Sequence, residues 1–104
     1  MSNHERRIIL SPQALDDLTD ILQYTLVTWG EEQMQSYERV LDNSLNLILE
    51  NPLAGFQRPA VSERHRFVVS GQHLIAYRFT GRDVEVSRIL HGRMDVRTVL
   101  SEDL

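Results

Sequence analysis

Along the chain the spacing of apolar residues changes period twice. Arg6-Arg7-Ile8-Ile9-Leu10 is a short β-branched run, and Ser11-Pro12 closes it with a residue suited to cap a helix and a proline suited to its first turn. Ala14, Leu15, Leu18, Ile21, Leu22, Thr25 and Leu26 then recur at steps of three and four, with Asp16, Asp17 and Asp20 on the other face. That spacing predicts an amphipathic helix with its acids near the positive end of the dipole. Trp29-Gly30 interrupts it. A second helical period runs from Glu31-Glu32 through Met34, Tyr37, Val40, Leu41, Ser44, Leu45, Ile48 and Leu49. Helices joined by so short a break are expected to lie antiparallel.

Asn51-Pro52-Leu53-Ala54-Gly55 stops the second helix, and the polar stretch from Gln57 to Arg64 reads as a surface loop. Beyond it the pattern turns strand-like in three segments, Arg66 to Ser70, His73 to Phe79 and Val84 to Leu90. Gly71-Gln72 and Thr80-Gly81-Arg82-Asp83 supply the turns, a spacing that favours consecutive hairpins. Met94 to Leu100 is expected to form a last short helical turn before a frayed tail. The reading is an α+β fold in the order β-α-α-β-β-β: an N-terminal strand, an antiparallel two-helix hairpin, then a three-stranded antiparallel meander to which the first strand adds an edge. At 104 residues, with no linker, residues 1–104 form one domain.

Composition narrows the chemistry. Cysteine is absent, which removes disulfides, thiolate nucleophiles and Cys-based metal sites and suits a reducing cytoplasm. No apolar run is long enough for a signal peptide or for the roughly 20 residues of a membrane span, so a soluble, unexported protein is expected. The net charge of −4 hides an asymmetry: acids dominate the first half, while eight of the eleven basic residues fall at or after Arg58. All eleven are arginine, so lysine chemistry is excluded and planar recognition of anions remains. An acidic domain is a poor general binder of nucleic acid, because the phosphate contribution needs concentrated positive charge.

Several blocks in order resemble the ParE toxins of the RelE/ParE toxin–antitoxin superfamily. Ser11-Pro12-Gln13-Ala14-Leu15-Asp16-Asp17-Leu18, Tyr24-Thr25 and Trp29-Gly30-Glu31 are similar to the family's opening. Asn51-Pro52-Leu53-Ala54-Gly55 with Arg58 is similar to its helix-terminating loop, and His73-Leu74-Ile75-Ala76-Tyr77-Arg78 to its central strand. The most specific block is Arg88-Ile89-Leu90-His91-Gly92-Arg93-Met94-Asp95, which resembles the closing motif of the ParE branch. The resemblance implies a bacterial toxin, cytoplasmic, without cofactor or metal, that forms a hetero-oligomer with a ParD-like antitoxin and inhibits DNA gyrase. The related RelE branch instead cuts messenger RNA on the ribosome, and the shared fold does not choose between the two. A member that binds antitoxin but has lost toxicity is a third reading.

The residues themselves support an inhibitor better than an enzyme. His91 closes a strand among arginines, so a general acid–base role in RNA cleavage, with Arg78 or Arg88 steadying the developing charge, is the alternative reading. Histidines in that position more often hold the adjoining loop, and this lysine-free, acidic chain departs from RelE-type ribonucleases in the charge that RNA docking requires. His4, His65, His73 and His91 show no metal-ligand spacing. The arginines Arg64, Arg66, Arg78, Arg88, Arg93 and Arg97 gather in the sheet half, where a solvated face and an anion-accepting surface for acidic partner residues are both consistent with the sequence. Partner binding is therefore assigned to Arg64, Arg66, Arg78, Arg88 and Arg93, with Met94 and with Trp29, which either packs at the hairpin bend or anchors an interface.

Overall fold

The structure, a computed structural model, describes residues 6–92 and 96–101. Strand β1 (Arg7–Leu10) leads into helix α1 (Pro12–Trp29), helix α2 (Glu31–Glu50) and a 3-10 turn at Pro52–Ala54. Strands β2 (Phe56–Arg58), β3 (Ser62–Ser70), β4 (His73–Thr80) and β5 (Asp83–His91) follow, and helix α3 (Val96–Ser101) ends the described chain. The five strands form one sheet in the order β1-β5-β4-β3-β2. Strands β2 to β5 pair antiparallel, and β1 lies parallel to β5 at the edge.

The expected elements appear in the expected order, with one addition. The stretch expected as a polar loop, Gln57 to Arg64, instead holds most of β2 and the start of β3. β2 is an edge strand with all three residues in exposed positions, and its pairing with β3 shifts register after Gln57, so no alternation marks it. The start of β3 is masked by polar residues that are nonetheless buried. His65 is only 2% exposed, and its Nδ1 and Nε2 meet the hydroxyls of Ser62 at 2.7 Å and Ser87 at 3.1 Å.

Helices α1 and α2 pack on each other and cover one face of the sheet, burying Ala14, Ile48, Val68, Ile75, Tyr77, Val84, Val86 and Ile89 between them. Tyr77 ties this core to the segment after α2: its hydroxyl donates to the Pro52 carbonyl at 2.6 Å and accepts from the Gly55 amide at 2.9 Å. A side chain on Gly55 would put its Cβ 2.5 Å from that hydroxyl, so the close approach requires glycine. On the opposite face α3 covers a smaller cluster of Phe67, Ala76 and Leu100.

Strand β5 is held in two ways along its outer edge. β1 pairs with it only from Asp83 to Val86. Past that point α1 takes over. Ser11 donates its amide to the Val86 carbonyl and its hydroxyl to the Ser87 carbonyl, and that hydroxyl also accepts from Ala14 as the helix cap. Asp17 then accepts from the Ile89 amide at 2.9 Å and from Nε and Nη2 of Arg88 at 2.8 and 2.9 Å. The register between β4 and β5 slips at this place: Tyr77 faces Val86 while Ala76 faces Arg88, leaving Ser87 as an extra residue. Asp17→Ala removes three charge-assisted bonds, one of them to the Ile89 amide, at a site where the Asp17 and Arg88 side chains are only 15–17% exposed. A loss of about 2–3 kcal/mol in urea unfolding is expected, with Arg88→Ala adding little on top of it in the double variant.

Candidate functional site

Two grooves meet at the β3–β4 turn. Gly71 makes that turn with φ +59, and a Cβ there would stand 2.6 Å from the Tyr37 hydroxyl, so both backbone and space demand glycine. The Tyr37 hydroxyl accepts from the Gln72 amide at 2.9 Å and lies 2.5 Å from Nδ1 of His73 and 3.3 Å from the Ser70 carbonyl. These bonds pin the turn to α2. Burial, above all, and the neighbouring His91 hold the His73 imidazole below its ordinary value of 6.5, against a smaller upward pull from Asp17. The rings of His73 and His91 meet edge to face with centroids 5.4 Å apart.

The first groove lies on the sheet face that α3 partly covers. It encloses about 390 Å³ and is walled by Phe56, Val61, Phe67, Val69 and Leu74, with Arg58 set over the Phe56 ring at 5.2 Å. Val69 is 66% exposed and Phe56 39%, so much of this apolar wall is open to water. The second groove, of about 820 Å³, runs between the tip of the helical hairpin and the end of the sheet. Tyr24, Trp29 and Tyr37 form its walls, Asp20 its rim, and His73 and His91 its floor. Gln72 and His73 line both grooves.

The arginines singled out by sequence have separate engagements. Arg64 is exposed on β3. Arg66 reaches the Gly55 carbonyl at 2.9 Å and so braces the segment before β2. Arg78 pairs with Glu85 at 3.4 Å across the β4–β5 hairpin, about two-fifths exposed on each side. Arg88 is committed to Asp17. Arg93 and Met94 lie outside the described residues, as does His4. Trp29 is 70% exposed at the hairpin end rather than packed there.

The set in the alternative catalytic reading is dispersed. His91 faces His73 in the register, whereas Arg78 faces Glu85. The five-residue separation of His73 and Arg78 along β4 corresponds to about 16 Å. Among the described residues, no three His, Asp or Glu side chains come together to hold a metal ion, and no helix is long and apolar enough to cross a membrane. From sequence, Tyr37 belongs to the apolar stripe of α2, which reads as core or as a partner-binding stripe, and Asp20 and Tyr24 were not singled out as groove residues. Of the last two, only Tyr24 carried a signal, as a bulky aromatic off the apolar face of α1.

A hairpin of two helices laid on a β1-β5-β4-β3-β2 sheet, with an arginine-bearing strand face beyond it, makes a small two-layer α+β domain. The family model described as "ParE toxin of type II toxin-antitoxin system, parDE" matches residues 8–96, and the chain belongs to that family. Toxin ParE1 of Mycobacterium tuberculosis is 35% identical over 91 residues, 86% of this chain and 93% of the relative. Toxin ParE1 of Caulobacter vibrioides is 37% identical over 91 residues, covering 88% and 94%. The solved structure titled "Chromosomal ParDE TA system from P. aeruginosa" shares the fold at a TM-score of 0.72 and 18% identity, over 85% of this chain and 97% of that one.

The half-buried imidazole of His73 gives the fold a pH dependence of definite sign. A histidine whose folded value is depressed contributes stability that is complete above the ordinary 6.5 and is lost as pH falls from there through the folded value. Urea midpoints are expected to drop between pH 7.5 and 5.5, and His73→Gln to flatten that slope; an unchanged slope in the variant would assign the dependence elsewhere.

Proposed function

We propose that the chain is a cytoplasmic protein inhibitor of DNA gyrase, kept silent by a ParD-like antitoxin. The observation that carries this reading is the family match over residues 8–96, together with ParE1 relatives aligned along nearly their whole length. The antitoxin is assigned to the open sheet face. Its apolar wall of Phe56, Phe67, Val69 and Leu74 fits the hydrophobic side of a partner segment. Arg58 on the rim and Arg64 beside β3 suit carboxylates on that segment. Arg66, Arg78 and Arg88 contribute to the positive field of this half while holding their own partners, and Arg93 and Met94 extend the assignment past β5.

Inhibition rather than hydrolysis is favoured by the dispersal of His91 and Arg78 along the sheet and by the commitment of Arg88 to Asp17. An enzyme that stabilises a developing charge needs those groups aimed at one point.

The purified chain is expected to block supercoiling by DNA gyrase and to accumulate cleaved DNA. Expressed alone in bacteria, it should arrest growth with filamentation and a DNA-damage response while messenger RNA stays intact. Arrest with fragmented messenger RNA and no damage response would replace gyrase with the ribosome as target. Co-expression of a ParD-like antitoxin should relieve the arrest.

A further inference from the structure

The helical hairpin has a charge unlike the rest of the molecule, and its tip an exposed aromatic surface. Between Pro12 and Glu50 the chain carries eight carboxylates against a single cation, Arg39. Asp17 is spent on Arg88, and the other seven are exposed. In residues 56–92 the balance reverses, to six arginines against three carboxylates. Two opposed fields on one small domain suit two partners of opposite charge better than one.

Among the described residues, the apolar surface at the tip is left open to water. Trp29 is 70% exposed, Tyr24 66% and Val27 78%, on a helix whose other face buries Ala14 and Thr25. Gly30, with φ +98, is the only residue between α1 and α2, and it brings Trp29 into the same groove as Gln33 and Asp20. Large aromatics left in water beside a carboxylate form a receptor for a cation, which can lie against the ring faces while the acid balances its charge.

We infer that this end of the hairpin, centred on Trp29, Tyr24 and Asp20, is the surface that docks the toxin onto its cellular target, and that its occupant is a basic protein surface presenting an arginine or lysine to the groove. The inference rests on the reading of the chain as a toxin that acts by binding a protein. Nucleic acid and acidic partners are repelled by Asp20, Glu31 and Glu32 at the tip and by the other acids along the hairpin, and a second copy of this chain would set like charges against each other across a two-fold. An enzyme that handles DNA offers the required chemistry, since surfaces that hold phosphate are built of arginine and lysine. The arrangement also accounts for silencing: an antitoxin segment laid along the sheet face reaches Gln72 and His73, which belong to the target groove as well.

Trp29 is the sole tryptophan, so it reports on this surface without ambiguity. The full chain labelled with 5-fluorotryptophan is titrated with purified DNA gyrase and followed by fluorine NMR. Trp29→Ala and Asp20→Lys are measured for gyrase affinity by calorimetry and for growth arrest on expression, with Arg82→Gln at the far β4–β5 turn as control. Thermal midpoints confirm that each variant is folded. Gyrase should shift and broaden the Trp29 resonance, each tip variant should lose about tenfold in affinity and relieve the arrest, and Arg82→Gln should behave as the parent. Binding of gyrase with an unmoved Trp29 signal, or full growth arrest by both tip variants, overturns the docking surface and leaves gyrase as the target. Absence of gyrase binding, with arrest still lost in both variants, removes gyrase and keeps the tip as the surface for another basic protein.

Discussion

The outer edge of β5 decides how the two halves of this molecule fit together. β1 covers only four residues of that edge, and an unfinished edge exposes backbone donors and acceptors to water or to other chains. Here the first turns of α1 finish it, through the Ser11 cap and the carboxylate of Asp17. The helix is therefore fixed to the sheet by hydrogen bonds as well as by apolar packing. The extra residue at Ser87 serves the same junction. It lets Val84, Val86 and Ile89 all face the helices, leaves Arg88 within reach of Asp17, and gives His65 a hydroxyl partner across β4. No buried side-chain nitrogen or oxygen among the described residues lacks a partner, which a junction of this polarity requires.

Once the hairpin is anchored at its base, its tip is free to project past the end of the sheet. That geometry separates an acidic, aromatic end from an arginine-rich face and leaves the β3–β4 turn as common ground. Tyr37 and His73 hold the turn from the helical side, while Leu74 and Val69 carry it into the apolar groove of the other face. A partner on one face thus touches the residues that shape the other. On the proposed assignment of partners, silencing follows from two sites sharing a border and needs no change of fold.

The helices and the meander were legible because their signals are local. The Ser11-Pro12 start, the Gly30 break and the turns at Gly71 and Gly81 are written in single residues, and the structure has all of them. What escaped were features set by pairing at a distance. β2 is an exposed edge without alternation, and the start of β3 buries Ser62, which reads as loop, and His65, which falls between loop and strand until its partners are seen. The arginine cluster was legible as a count, but Arg66, Arg78 and Arg88 acquire carbonyl or carboxylate partners only when strands in register bring them together. Trp29 could be read as packing or as an anchor from sequence, and its exposure depends on where the hairpin ends relative to the sheet. The aromatic groove was illegible for that reason: Tyr24, Tyr37 and His91 lie on three elements, far apart in the chain.

The proposed division of the surface between two partners is the claim on which the functional assignments depend. Hydrogen exchange by mass spectrometry on the chain, free and bound to a ParD-like antitoxin, tests this most directly. The prediction is that the antitoxin slows exchange in residues 56–74, including the Gly71–His73 turn, while residues 24–36 at the hairpin tip exchange as in the free chain. Protection centred on residues 24–36 with β2 and β3 unchanged would contradict it.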